Sequence, residues 1–158
     1  MNRLLLAKIA LLALLNALLW ASLVPPWQVA DEPKHFELVR LIAESGHVVA
    51  FTSEAESADP ELQRWILGSM DAHRFWWYGH APGYDPDQPP DRFDTLWFMG
   101  AGSALARTSP IYHWLVARLQ PADRLTGLYV ARLLSVLLAA AIVLVVGWTA
   151  RELFPDDD

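Results

Sequence analysis

Cysteine is absent from the 158-residue chain, so no disulfide staples its loops and no thiolate can hold zinc. A basic cluster is also missing: 12 Lys and Arg stand against 18 Asp and Glu, a formal charge of −6, whereas a nucleic-acid partner needs a concentrated cationic face to displace phosphate counterions. Nucleic acid is therefore excluded as a partner. Metal-ligand patterns fail as well. His73 and His80 have no third ligand at a recognised spacing, and Asp85, Asp87, Asp91 and Asp94 are interleaved with prolines and lack the glycine and glutamate of a calcium loop. No metal or other cofactor is indicated.

What the chain has in abundance is apolar length. Hydrophobic residues make up 54%. The run Leu4 to Val24 has 21 residues, about 31 Å as a helix and enough to cross a bilayer core of about 30 Å. A second run of 21 residues, Leu128 to Trp148, is equally long. Arg3 and Lys8 beside the amino terminus favour keeping that end in the cytoplasm, and Arg151 fits a cytoplasmic return. A cleaved signal peptide is the rival account of the first run, with Trp20-Ala21-Ser22 offering small residues near its end. The expected class is an all-α membrane protein with two transmembrane helices. The layout is a first span at 1–24, an exported loop at 25–127 with amphipathic interfacial helices, a second span at 128–148 and a cytoplasmic end at 149–158, multi-pass in the cell membrane and in contact with its lipid.

Within the loop, Phe36, Val39, Ile42 and Ala43 recur at helical spacing from Pro33 to Ser45, opposite Glu37, Arg40 and Glu44. Gly46 ends that helix. Such a helix can rest in the headgroup plane or pack inside an exported domain. Asp59-Pro60 starts another, with the aspartate as N-cap, Leu62, Trp65 and Ile66 on one face, and an end near Gly68. The aromatic run Phe75-Trp76-Trp77-Tyr78 suits a membrane interface or a stacked sugar ring. Residues 47–51 read as a short strand or a descent to the membrane, and 96–105 as a short buried or re-entrant apolar stretch. Ser109-Pro110 then caps a helix whose apolar stripe is Ile111, Trp114, Leu115 and Leu119.

Three patches carry the candidate chemistry. Pro26, Asp31, Glu32, His35 and Phe36 follow the first run. Ser109-Pro110-Ile111-Tyr112-His113 precedes the second. Ala131-Arg132-Leu133-Leu134-Ser135 lies inside it. Carboxylates at a membrane edge are functional candidates because water is scarce there. Asp31 also sits where a side chain can cap the Pro33 helix, and an arginine at position 132 can snorkel to the interface or face a phosphate with its planar fork.

In their order and position the patches resemble the amino-terminal part of the GT-C membrane glycosyltransferases, in the bacterial branch akin to protein O-mannosyltransferases and the aminoarabinose transferase of lipid A. The resemblance covers the layout of nearly the whole chain but only these patches in residues. It implies a polyprenyl-phosphate-linked sugar donor, an active site on the exported face, Asp31 as catalytic base with Glu32 as its neighbour, and substrate contacts from His35, Tyr112 and Arg132. His113 departs from it, because relatives often have a second tyrosine there. Relatives also continue through many further spans that build the donor pocket, so further spans or membrane subunits are implied as partners. The alternative from another class is a non-catalytic membrane accessory or scaffold protein, in which the acidic pair only caps a helix.

Overall fold

The computed structural model describes residues 3–29, 31–48, 59–75, 85 and 110–154. Among the described residues the regular structure is helical, without a strand: α1 Arg3–Leu23, α2 Glu32–Ser45, α3 Pro60–Ala72, α4 Ile111–Ala117 and α5 Arg124–Leu153. The aromatic run beyond Phe75, the acidic loop apart from Asp85, the stretch 96–105, Ser109 and most of 47–58 lie outside them. The chain divides into two compact units. One joins Met1–Val24 to Tyr129–Asp158, and the other is Pro25–Leu128.

In the first unit, α1 and the body of α5 are both long and apolar enough to cross a membrane. Their leucines and valines point outward: Leu12 is 69% exposed and Val146 61%. A soluble protein would bury such faces, since contiguous apolar surface of this kind is rare on soluble monomers. α5 is longer than the apolar run suggests. It begins at Arg124, four residues before Leu128, because Asp123 Oδ2 accepts the Thr126 amide at 2.7 Å and so satisfies one of the open donors of the first turn. It continues past Trp148 to Leu153, where Arg151 suits the negative end of the helix dipole.

In the second unit, Trp27, Phe36, Leu62, Ile66, Leu67, Met70 and Leu128 form a buried apolar cluster, with Trp65, Phe75 and Leu125 packed against it. Each such side chain contributes roughly 1.5–3 kcal/mol by leaving water. α2 is the central helix of this unit, packed on α4 most extensively and on α3 as well. Being covered from two directions, it buries Phe36, Glu37, Leu38 and Val39 in succession, then Ile42. Its apolar face is thus taken up by protein, which is the packed alternative and not the headgroup-plane one. Glu37, expected on the polar face, lies inside.

Local signals act as their chemistry dictates at most helix ends. Gly46 adopts φ 74°, a left-handed conformation that suits glycine, and returns its amide to the Ile42 carbonyl at 3.0 Å. Asp59 accepts the Glu61 amide at 2.8 Å, with Pro60 in the first turn. α3 does not end near Gly68, however. It runs to Ala72, since Leu67 and Met70 anchor both sides of the glycine in the core, offsetting a propensity cost of about 1 kcal/mol. α4 does not bury the apolar stripe of its sequence. Its buried residues are His113, Val116 and Ala117, while Ile111, Trp114 and Leu119 are exposed, and Pro110 itself occupies the N-cap position.

Candidate functional site

The corner between α1 and α2 is built around a tryptophan in an unusual backbone state. Trp27 has φ 72°, a conformation that is an outlier for a bulky L residue and costs on the order of 1–3 kcal/mol. Its surroundings hold it there. Its amide donates to Glu32 Oε2 at 2.7 Å and its indole Nε1 to Ser69 Oγ at 3.0 Å. The ring stands edge-on to Phe36 at 5.4 Å and to Trp65 at 6.1 Å, and none of it is exposed. The Glu32 side chain is therefore turned back toward Trp27, where it accepts a buried amide in a short hydrogen bond.

Asp31 goes the other way. It occupies the N-cap position of α2 with φ 59° and ψ 7°, a left-handed state that aspartate tolerates better than most residues, and its side chain makes no capping hydrogen bond. The backbone does make the first helical bond, His35 N–H to the Asp31 carbonyl at 3.0 Å. The carboxylate is more than half exposed and pairs with Lys34 Nζ at 3.3 Å. The cap expected at Asp31 is thus a cap by position only. The side chain faces water at the start of the helix, where the dipole favours negative charge.

One turn further on, His35 meets His113. His35 Nδ1 and His113 Nε2 are 2.8 Å apart, and the two rings lie nearly parallel with centroids at 5.1 Å. Tyr112 stands edge-on to His113 at 5.4 Å. One imidazole nitrogen donates in this bond and the other accepts, so the pair cannot hold a full set of protons and keep the bond. Burial lowers the His35 pKa from its usual 6.5; Asp31 raises it and Lys34 lowers it to smaller extents. His35 thus joins the start of α2, where the Asp31 carboxylate is exposed, to His113 and its chain neighbour Tyr112. Such a set can accept and pass a proton near neutral pH.

Of the residues that the sequence singles out, His35 reaches His113, the chain neighbour of Tyr112, Asp31 lies one turn before His35 and pairs with Lys34, and Glu32 accepts from the Trp27 amide. Arg132 belongs to the other unit. It is 8% exposed, and its Nη1 donates to the carbonyls of Ala21 at 3.2 Å and Val24 at 2.6 Å, with the guanidinium 5.7 Å over the Tyr129 ring. It is thus bonded to backbone carbonyls of the first unit. It closes the carboxyl end of α1, whose last carbonyls have no helical partner of their own. Among the described residues no group of three or more His, Asp or Glu is placed to hold a metal.

Two functional candidates escape the sequence patterns. His113 stands out only as a departure from the tyrosine of the resemblance, and its partner lies 78 residues away in the chain. Glu37 is 1% exposed, with Oε1 accepting from Gln63 Nε2 at 2.8 Å and Oε2 without a hydrogen-bond partner. Burial raises its pKa to about 7, against a smaller downward effect of the Gln63 bond. The available signal for Glu37 is its position inside Phe36-Glu37-Leu38-Val39, an acid within an apolar run.

Comparison with protein-family models, with curated proteins and with solved structures returns no match. The GT-C likeness is carried by the three patches alone.

Proposed function

We propose that this chain is a two-span membrane protein, with its amino terminus in the cytoplasm and residues 25–127 exported, that supplies the acceptor-activating carboxylate of a glycosyltransferase using a polyprenyl-phosphate sugar. The observation that carries this is the Asp31 side chain. A carboxylate at an N-cap that does not cap has its simplest structural explanation removed, and it faces water beside an imidazole pair. In the reaction, the acceptor hydroxyl gives its proton to Asp31 while its oxygen bonds to the sugar carbon. The bond from that carbon to the phosphate oxygen breaks, and polyprenyl phosphate leaves. The His35–His113 pair then takes the proton onward, and Tyr112 lines the acceptor side. The donor pocket comes from further spans, in the same polypeptide or in partner subunits. The bonds of Arg132 are explained by the α1 end it closes, so the proposal rests on Asp31.

A second reading has its own support. Glu32 and Arg132, two of the five candidate residues, are held in bonds to backbone groups that any scaffold would need. A non-catalytic accessory protein of the membrane would show the same arrangement.

Asp31→Asn separates the two. Because the side chain makes no cap bond and is itself more than half exposed, asparagine should cost less than about 1 kcal/mol of stability. Membranes containing the variant should hold a normal amount of protein and lose sugar transfer from the polyprenyl-phosphate donor, by about 100-fold or more if Asp31 is the base. Undiminished transfer with Asp31→Asn would sink the base assignment and favour the accessory reading.

A further inference from the structure

Among the described residues, an apolar stripe on α4 and the turn after it is exposed. Ile111 is 73% exposed, Trp114 40% and Leu119 52%, and Leu115 completes a ladder with Ile111 and Leu119 at every fourth residue. The opposite face, His113, Val116 and Ala117, is the one used against the rest of its unit. The Arg118 guanidinium lies 5.1 Å over the Trp114 ring, so a cation is held at the rim of the apolar stripe. The surrounding stretch of the same unit is basic within an acidic protein: from 110 to 128 there are two arginines, Arg118 and Arg124, against the single acid Asp123. The segment 118–123 joins α4 to α5, a tether of at most about 20 Å even when fully extended.

We propose that this face of α4 is a membrane-docking surface, on which Ile111, Trp114 and Leu119 enter the boundary between headgroups and acyl chains while Arg118 contacts the phosphates of anionic lipids. The occupant is a lipid surface. Two helical turns present far less than the roughly 800 Å² per partner of a stable protein interface. Tryptophan beside arginine is the side-chain pair that a membrane interface accommodates, with one end in hydrocarbon and the other wet. Positive charge complements an anionic leaflet. α4 thereby takes the interfacial role that the sequence pattern offers to α2, whose apolar face is already covered. The proposal depends on α5 crossing the membrane and not on any catalytic role for Asp31.

The absence of cysteine makes the test direct. Single cysteines are introduced in the full chain by Ile111→Cys and Leu119→Cys, with Val145→Cys on α5 and Arg64→Cys on the exposed side of α3 as references. Each is labelled with an environment-sensitive fluorophore in phosphatidylcholine vesicles with and without phosphatidylglycerol. Labels at 111 and 119 should be quenched by lipids carrying a doxyl group near the headgroup, about three-fold or more above the label at 64, and less strongly when phosphatidylglycerol is omitted or Arg118→Gln is added. Quenching at 111 and 119 by aqueous iodide alone, as at 64, overturns the proposal. Protection from both quenchers overturns it too, since protein then covers the stripe. A label at 145 that doxyl lipid cannot reach removes the membrane crossing on which the proposal depends, and leaves the assignment of Asp31 to be judged by its own assay.

Discussion

Glu37 sits among Phe36, Leu38 and Val39, and α2 turns all four inward because α3 and α4 cover it from different sides. A carboxylate there loses its hydration and recovers one hydrogen bond, from Gln63, which is why its pKa rises to about 7. The sign for stability follows. The folded state binds a proton more tightly than the unfolded chain, whose glutamate titrates near 4.5, so the group's contribution is intact below pH 4.5 and is lost as pH rises to about 7. The loss is roughly 3 kcal/mol, from 1.36 kcal/mol per unit. Glu37→Gln should therefore unfold at higher denaturant than the parent protein at about pH 8 and differ little at about pH 4.5, by chemical denaturation followed through tryptophan fluorescence. Equal stabilities at about pH 8 would mean that the carboxyl is hydrated. His35 works in the opposite direction: with its pKa lowered below 6.5, the folded state resists the proton, so its contribution is complete above 6.5 and falls away on acidification. His113→Ala exposes His35 to water and breaks the imidazole bond, and should flatten the acid limb of the stability profile at a cost of about 1–3 kcal/mol above pH 6.5.

At the scale of elements, the ends of helices are more legible in the sequence than their faces. Asp59-Pro60 and Gly46 act through atoms within four residues, and they do in the structure what their chemistry predicts. Faces depend on what lies across the chain. The apolar stripe Ile111, Trp114, Leu115 and Leu119 is legible by its spacing, but that α4 is docked by His113 and Val116 is not, because the imidazole that meets His113 comes from α2. No local periodicity contains that information. Gly68 similarly reads as an end, but burial on both sides of it carries the helix through. Arg132 is the third case: its partners are the carbonyls of Ala21 and Val24, more than a hundred residues earlier. An arginine with two backbone acceptors and little exposure holds an element end, and Arg132→Gln should lower stability in detergent by about 2 kcal/mol, seen as a drop in thermal midpoint and earlier proteolysis after Val24. Arg132→Lys should recover part of that stability, because an ammonium serves one carbonyl well but lacks the planar fork. A variant whose midpoint is unchanged would show that the α1 end is satisfied without the guanidinium.

For the whole molecule, the two apolar runs were the most visible feature of the sequence, and the structure forms a helix over each, in a unit separate from Pro25–Leu128. The candidate site was half visible. The residues Asp31, His35 and Tyr112 are legible as chemistry-bearing types in the sequence, whereas the His35–His113 bond depends on a contact across 78 residues. On the proposed function, composition leaves open the side of the membrane on which Pro25–Leu128 would lie, and the proposed mechanism depends on it, since a polyprenyl-phosphate sugar is used where its sugar faces. The proposed orientation rests on the charge at the amino end of the first apolar run: Arg3 precedes the run and Lys8 lies near its start, and lysine and arginine are the residues that hold a flank in the cytoplasm. Intact cells expressing Glu61→Cys should therefore react with a membrane-impermeant maleimide, because Glu61 is largely exposed and the parent chain has no thiol to compete. Cells expressing Glu152→Cys, beyond the second span, should react only after permeabilisation. The reverse pattern would put Asp31 on the cytoplasmic side and rule out its use on an exported donor. Reaction of both variants in intact cells would mean that α5 does not cross, and that its long apolar face is covered by other protein instead of lipid.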